Sequence, residues 1–203
     1  MVSPVLFETE FDMREVVPTR EPEKTLMSYL DEAAKNGCKR RLNLGLSGPG
    51  LVSLRHPSIR LSAIVEEEAE LLQLLHHSPL KQLFDNLGVT LVKSKFSALP
   101  FREGAFHLVT VSDALGRDNI DTVLKELHRV TERFAIFSVR NSRSLDIPVL
   151  GFRKEHLYPR PPKSFSPKEF EESLKPYFSI RQIRTNLAGR WLTVLGERNE
   201  IQG

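Results

Sequence analysis

The sequence predicts an α/β fold in which helices cover a mostly parallel β-sheet that ends in an antiparallel hairpin. Apolar segments of strand length alternate with amphipathic helical segments along the chain, and this alternation is typical of parallel sheets whose strands are joined by helices. The first apolar segment runs into the turn Ser47-Gly48-Pro49-Gly50, which suits a strand that gives way to a helix. The last two apolar segments alternate with a period of two, as a hairpin does.

The first predicted element is an amphipathic helix over residues 23–36, which follows an irregular, proline-punctuated segment, 1–22. Gly37 provides the stop signal of this helix. Its apolar face consists of Leu26, Tyr29, Leu30 and Ala33. The apolar segments that follow predict the strands of the sheet. These strands cover residues 41–46, 59–65, 89–93, 106–111, 134–139, 178–184 and 190–197.

Further helices are predicted between the strands. Leucines indicate a helix from Glu67 that breaks at Pro79 and resumes as far as residue 87, and residues 118–132 form another helix. Ser166 and Pro167 match an N-cap followed by proline at the first helical position. Residues 141–165 contain four prolines and little periodicity and predict a long loop. Because no repeat or second unit is indicated, we expect one domain over residues 1–203.

The composition is that of a soluble globular protein, with 40% hydrophobic and 27% charged residues. No apolar run approaches the ~20 residues needed to cross a bilayer, and acidic residues near the start disfavour a secretory signal. The single cysteine, Cys38, excludes an internal disulfide and a cysteine-based metal cluster. We therefore expect a cytoplasmic protein without a membrane partner.

The net charge of +3 is unevenly distributed, because residues 140–190 hold eleven Lys or Arg against five Asp or Glu. This surplus fits either a solvated basic face or contact with an acidic partner. Nucleic acid binding is disfavoured, since no basic run with interleaved aromatic residues occurs. The histidines show no metal-ligand spacing, so no metal is predicted.

Four segments, in their order and spacing, resemble the class I S-adenosylmethionine-dependent methyltransferases, and in particular the type 11 group. They are LNLGLSGPG at 42–50, VE at 65–66, ALPF at 98–101 with FHLV at 106–109, and LKELHRV at 124–130. The resemblance covers about residues 41–139. It implies a Rossmann-like three-layer sandwich with a seven-stranded sheet, and S-adenosyl-L-methionine as cofactor.

The resemblance places the cofactor at the end of the first strand. Glycines there permit positive φ and close backbone approach. Glu66 matches the carboxylate that accepts hydrogen bonds from the ribose hydroxyls in the family, although an acid at a helix N-terminus is an equally simple interpretation. Ser97 and the Ala98 backbone are expected to receive the adenine edge, or merely to close the sheet. The predicted cofactor-binding residues are Gly45, Ser47, Gly48, Gly50, Glu66, Ser97, Ala98 and Ser112.

The sequence departs from the family's pattern within this pocket. The family usually reads acidic-x-Gly-x-Gly-x-Gly, and an alignment without a gap puts Leu44 at the acidic place, whereas a one-residue insertion puts Asn43 there and Gly45 at the first glycine. In both alignments the carboxylate that helps hold the methionine amino group is missing, and losing a charge-assisted hydrogen bond costs ~1.5 to 3 kcal/mol. Lys95 or Phe96 stands where relatives carry an aspartate that faces adenine, and a lysine donor cannot replace an acceptor.

Methyl transfer needs few catalytic residues, because proximity supplies ~7 to 11 kcal/mol of the barrier. If the acceptor is a hydroxyl or ammonium group, the candidate general bases are Asp113, after the fourth strand, and then His107, which replaces an acid of the family. Both residues also fit structural roles. The segment Ser112-Asp113-Ala114-Leu115 lacks the Asn-Pro-Pro-aromatic element of amide and nucleobase methylation. The resemblance implies a lid-like loop over residues 141–165, because relatives build a substrate lid there, and its basic residues suit an acidic acceptor.

We therefore expect a methyltransferase that acts on a small molecule or another unidentified acceptor. A catalytically inactive, methyltransferase-like binding or scaffold module is the alternative, because the departures lie in the cofactor pocket itself. A dinucleotide-dependent oxidoreductase is disfavoured, since the spacing of Gly45, Gly48 and Gly50 differs from Gly-x-Gly-x-x-Gly.

Overall fold

A computed structural model describes residues 20–45, 56–66, 79–112, 114–115, 119–143, 163–185 and 191–200, apart from the side chains of residues 20–23, 66, 79–80, 83 and 87. The helices in these ranges are α1 (Arg20–Lys35), α2 (Pro79–Leu87), α3 (Ile120–Val130) and α4 (Pro167–Leu174). The strands are β1 (Arg40–Leu44), β2 (Arg60–Glu66), β3 (Thr90–Lys93), β4 (Phe106–Ser112), β5 (Thr131–Asn141), β6 (Ser164–Phe165), β7 (Phe178–Thr185) and β8 (Trp191–Arg198).

The strands form one sheet in the order β3-β2-β1-β4-β5-β8-β7, with the short β6 beside β5. The strands from β3 to β5 are parallel, whereas β8 is antiparallel to both β5 and β7. The predicted seven-stranded sheet with its terminal hairpin is confirmed, and β6 is an addition to it. Because the chain first builds outward from β1 to β3 and then continues with β4 on the other side of β1, the topology reverses between β1 and β4.

Apolar side chains cover both faces of the sheet. Leu30 of α1 packs in one cluster with Leu108 of β4 and Ile136 of β5. Leu124 of α3 belongs to a second cluster with Val109, the next residue along β4. Since neighbouring strand residues point to opposite faces, α1 lies on one face and α3 on the other, and α4 joins α3 through Phe170 and Leu174. This arrangement is the predicted three-layer sandwich.

The first helix confirms its predicted apolar face, because Leu26, Tyr29, Leu30 and Ala33 are at most 1% exposed. It begins at Arg20, inside the segment predicted to be irregular, and Pro22 occupies the first turn, where no backbone donor is needed. The helix ends at Lys35, two residues before Gly37, whose φ is 84°. The N–H groups of residues 37 and 38 donate to the carbonyls of residues 34 and 33 at 2.9 and 3.1 Å, which is a Schellman cap.

The ends of the predicted 141–165 loop belong to the sheet. Asn141 is the last residue of β5, and β6 pairs with β5 through Arg140↔Ser164 and Asn141↔Phe165. The prediction of a loop over these end residues is therefore wrong. Strand pairing between residues more than about twenty positions apart in the chain leaves no local signal in the sequence. Residues 144–162 of that loop, and residues 67–78 of the predicted second helix, lie outside the described residues. The predicted N-cap is confirmed, since Ser166 Oγ accepts from the Glu169 N–H at 3.2 Å.

Within the described ranges, no helix is long and apolar enough to cross a bilayer. The same part of the chain contains no group of three or more His, Cys, Asp or Glu side chains arranged to hold a metal ion.

Candidate functional site

The candidate site lies where the topology reverses, at the carboxyl-terminal edge of the parallel strands. The register of β1 with β2 and β4 brings three strand ends to one level. Gly45 follows β1 there, Glu66 is the last residue of β2, and Ser112 is the last residue of β4. Open α/β sheets bind their ligands at this edge and at this reversal. The strand register therefore places the backbones of three predicted ligand-binding residues, Gly45, Glu66 and Ser112, next to each other.

Gly45 closes the junction between β1 and β4. Its φ is 79°, and its N–H donates to the carbonyl of Val65 at 2.9 Å. A Cβ at this position would lie 2.9 Å from the Cβ of Ala114 and 3.0 Å from the carbonyl oxygen of Ser112. Both the left-handed backbone and the close contact require glycine here. The close approach that the glycine permits is to the end of the neighbouring strand.

Asn43 is one of the two residues that the sequence aligns with the family's acid. Its side chain is fully buried, and its amide nitrogen donates to the carbonyl of Gly45 at 2.7 Å. Its Oδ1 accepts from the hydroxyl of Thr110 in β4 at 2.7 Å. Leu44 is instead part of the core beneath α3. Of the two residues, Asn43 is thus the polar one, and both ends of its amide are already bonded within the protein.

The segment after β3, Ser94–Phe101, forms one wall of the site, because β3 pairs with β2 and ends beside Glu66. Its turn is closed by the N–H of Ala98, which donates to the carbonyl of Lys95 at 3.1 Å, and by Ser94 Oγ, which donates to the carbonyl of Ala98 at 2.8 Å. Lys95 and Ala98 are exposed, and Ser97 is half-buried. The Ala98 amide, a predicted contact for adenine, is thus already used inside the turn.

His107 lies at the opposite edge of the sheet. It is the second residue of β4, and its Nδ1 accepts from the backbone N–H of Arg40 at 3.2 Å. Its Nε2 faces Glu132 at 3.7 Å. Because β1, β4 and β5 run parallel, their first residues are a strand length away from Gly45. The expectation that His107 serves as a second general base at the cofactor site is therefore corrected, and its contacts join three strand starts.

Four of the predicted site residues, Ser47, Gly48, Gly50 and Asp113, lie outside the described residues, as does the side chain of Glu66. Asp113 directly follows Ser112, which is 1% exposed.

Sequence reasoning missed the polar contacts that shape the edge. Thr110 stands inside a segment that we predicted as a buried strand, and a single hydroxyl in such an apolar run is a signal of an internal partner. Glu126 and Arg129 were noted only as part of a family landmark. In the structure Glu126 Oε1 accepts from the Leu99 N–H at 2.7 Å, and Arg129 donates to the carbonyls of Leu99 and Phe101 at 3.1 and 2.7 Å.

Comparison with solved structures agrees with this architecture. An S-adenosylmethionine-dependent methyltransferase from Aquifex aeolicus superposes with a TM-score of 0.64 at 15% identity, covering 92% of this chain and 96% of that chain. The Burkholderia thailandensis 1,6-didemethyltoxoflavin-N1-methyltransferase, solved with its substrate and S-adenosylhomocysteine, gives 0.61 at 17% identity, covering 89% and 80%. The [4+2]-cyclase SpnF gives 0.63 at 14% identity, covering 86% and 82%.

No protein-family model and no curated protein sequence matches the chain, so the type 11 resemblance stays a prediction. At these identities the similarity establishes the architecture alone. One of the three similar proteins, the [4+2]-cyclase, is named for a reaction other than methyl transfer. The same fold is indicated by the strand order, by the reversal between β1 and β4 and by the structural neighbours. The chain has the fold of the class I S-adenosylmethionine-dependent methyltransferases.

Proposed function

We propose that this protein binds S-adenosylmethionine at the carboxyl-terminal edge of β1, β2 and β4 and transfers the methyl group to a small-molecule acceptor. The observation that carries the proposal is the convergence of Gly45, Glu66 and Ser112 on one level at the topological reversal. Sheets of this kind bind nucleotide ligands there. The Burkholderia thailandensis neighbour, which shares the fold, was solved with S-adenosylhomocysteine.

The two halves of the cofactor fit the residues differently. A carboxylate at the end of β2, as Glu66 provides, is the acceptor that a ribose diol needs. The methionine half, in contrast, finds a neutral amide at Asn43, whose nitrogen already donates to the carbonyl of Gly45. We therefore propose that the nucleoside half contributes most of the binding energy, since hydrogen bonds to charged groups are the stronger ones.

The acceptor side of the proposal follows from the chain that borders Ser112. Asp113 is the proposed general base, because it comes directly after Ser112, the last residue of β4. A carboxylate can act only within hydrogen-bond reach of the proton that it removes. The basic residues of the 141–165 loop, whose ends are joined by β5 and β6, suit an acceptor that carries a carboxylate or phosphate group.

A methyltransferase-like module without catalysis is the second candidate. It is favoured by Asn43, which lacks the charge of the family's carboxylate, and by Lys95, an exposed residue in the wall of the site that has no acceptor. The cyclase neighbour illustrates that this fold is also used for a reaction other than methyl transfer.

Calorimetric titration with S-adenosylmethionine and S-adenosylhomocysteine tests the proposal. We expect binding by the native protein, and a loss of about tenfold or more in affinity for Glu66→Ala, because hydrogen bonds to a charged group contribute ~1.5 to 3 kcal/mol. Glu172→Ala is the matched control, since Glu172 is an exposed acid on α4 with a side-chain exposure of 60%.

The outcomes separate the candidates. An absence of heat at millimolar cofactor contradicts the proposed activity and favours the module without catalysis. Cofactor binding that Glu66→Ala leaves unchanged contradicts the assigned role of Glu66. Tight binding of a nicotinamide dinucleotide overturns both candidates.

A further inference from the structure

An ion pair on α3 binds the backbone of the 94–101 segment, the wall of the site. Arg129 donates from Nε to Glu126 Oε2 at 2.7 Å and from Nη2 to Glu126 Oε1 at 2.6 Å, which is a bidentate pair one helical turn apart. Glu126 Oε1 also accepts from the Leu99 N–H at 2.7 Å. The remaining Arg129 contacts go to the carbonyls of Leu99 and Phe101 at 3.1 and 2.7 Å. Together these two side chains bond three backbone groups of the 94–101 segment.

These bonds replace the sheet contacts that the segment does not make. The 94–101 segment follows β3, and β4 begins only at Phe106, so the strand ladder does not fix its backbone. Its side chains do anchor it, since Phe96 and Leu99 are 1% and 4% exposed within the core beneath α3. Apolar packing of this kind holds a segment against the core but is not directional. Hydrogen bonds to backbone N–H and C=O groups set its path.

The pair is well suited to that task because its contacts depend on each other. Glu126 is only 15% exposed at its side chain and Arg129 is 37% exposed, so water replaces the lost bonds only in part. The same Glu126 oxygen binds both the Leu99 amide and the guanidinium. A change in either side chain therefore moves the contacts of the other, and with them the backbone on both sides of Pro100.

We infer that Glu126 and Arg129 are positioning residues of the cofactor site, which place the 94–101 wall beside Glu66 without contacting the ligand. The inference rests on the proposed function, because it concerns the affinity of that site for a nucleoside. It assigns to α3, on the far side of the segment, a part of the binding geometry that neither Ser97 nor Ala98 determines alone. Its distinctive consequence is that ligand affinity depends on an ion pair located behind the binding surface.

The variants Glu126→Gln and Arg129→Met test this inference, with Ser166→Ala as control. Glu126→Gln keeps the size and one oxygen acceptor but loses the charge that binds Arg129. Ser166→Ala removes the N-cap bond of α4, which lowers stability without touching the 94–101 segment. For each protein we would measure S-adenosylhomocysteine binding by calorimetry, thermal unfolding, and hydrogen exchange of the Leu99 amide.

We expect both α3 variants to bind S-adenosylhomocysteine about tenfold or more weakly than the native protein, and to exchange the Leu99 amide faster. Ser166→Ala should lower the unfolding temperature but keep the native affinity and the native exchange rate at Leu99. If the control loses affinity in proportion to its stability, the effect is general and the inference is overturned.

Two further outcomes are distinguishable. If the native protein binds and both α3 variants bind equally well, the positioning role is overturned while the proposed function stands. If the native protein does not bind at all, the proposed function fails and this inference fails with it. Should Arg129→Met not fold, Glu126→Gln alone decides between these outcomes.

Discussion

At the carboxyl-terminal edge of the parallel strands, Asn43 and Thr110 are buried and bond to each other at 2.7 Å. At the amino-terminal edge, Glu132 meets Arg40 and His107 at 3.7 Å in each case, and the Glu132 and Arg40 side chains are 50% and 46% exposed. The Asn43–Thr110 contact thus joins two neutral groups that are buried from water. The second edge uses charged groups that share their partners with water.

This difference indicates which edge tolerates change. An exposed ion pair contributes ~0 to 1 kcal/mol, since water replaces the lost partner. A buried donor or acceptor that loses its partner costs ~1 to 3 kcal/mol, and more if a charge is involved. Substitutions at the buried Asn43–Thr110 contact should therefore cost more stability than substitutions at the amino-terminal edge. Three substitutions test this comparison.

Asn43→Asp should have the largest effect. It introduces the family's acid but replaces an amide donor by a carboxylate facing the carbonyl of Gly45, at a position with no exposure. An uncompensated buried charge costs ~3 to 5 kcal/mol, so denaturant unfolding at neutral pH should show a loss of that order. Glu132→Gln at the opposite edge is the control and should change stability by less than ~1 kcal/mol. Equal losses for the two variants would contradict the comparison.

Gly45→Ala should come second, and Gly37→Ala is its matched control. Both glycines have similar φ, 79° and 84°, so both variants carry a left-handed strain of ~1 to 2 kcal/mol. Only at Gly45 does the added Cβ meet other atoms, at 2.9 and 3.0 Å, whereas nothing lies within 4 Å of a Cβ at Gly37. Overpacking adds ~1 to 3 kcal/mol. Chemical unfolding should show this difference, and identical losses would indicate that the β1–β4 junction relaxes freely.

Substitution of His128 should have the smallest effect on the free energy of unfolding. It sharpens the comparison because the His128 side chain is buried although it lies near the amino-terminal edge. Its Nε2 donates to the carbonyl of Asn199 at 2.9 Å. Burial lowers the pKa of His128 below its ordinary value of 6.5, while the Asn199 carbonyl offsets part of that shift. The unfolded chain therefore takes up the proton first as the pH falls, so stability is present above pH 6.5 and decreases below it.

The measurement is the pH dependence of unfolding for the native protein and for His128→Gln. The variant keeps a donor for Asn199 but cannot titrate, so its stability should fall less steeply below pH 6.5 than that of the native protein. If the stability curves of the two proteins run parallel below pH 6.5, protonation of His128 does not destabilise the folded protein, and the prediction is wrong.

Much of the fold could be predicted from the sequence because its signals are local. The helical spacing of Leu26, Tyr29, Leu30 and Ala33 specifies the buried face of α1, and all four are buried. The Ser166 cap involves residues three apart, so the chain itself brings the partners together. Seven strands are predicted as apolar segments, with ends that differ from the observed ones by at most three residues, because a strand end depends on a neighbour that the segment does not encode.

The candidate site was predicted in its parts but not in its contacts. The sequence identified Gly45, Glu66 and Ser112 as candidates, and the register of β1, β2 and β4 brings their backbones together. It could not predict the partner of the Asn43 side chain, because Thr110 lies 67 residues away in the chain and meets Asn43 only when β1 and β4 pair.

What the sequence determined by itself is thus most of the described elements, their apolar faces and their caps, since these follow from periodicity and from neighbours within one turn. Tertiary structure alone decided that His107 lies at the far edge and that Asn43 accepts a hydrogen bond from Thr110. It also decided that Glu126 accepts from the Leu99 N–H, 27 residues earlier in the chain. The physical reason is that a hydrogen bond depends on distance and direction, and for residues far apart in the chain both are defined only when the strands have paired.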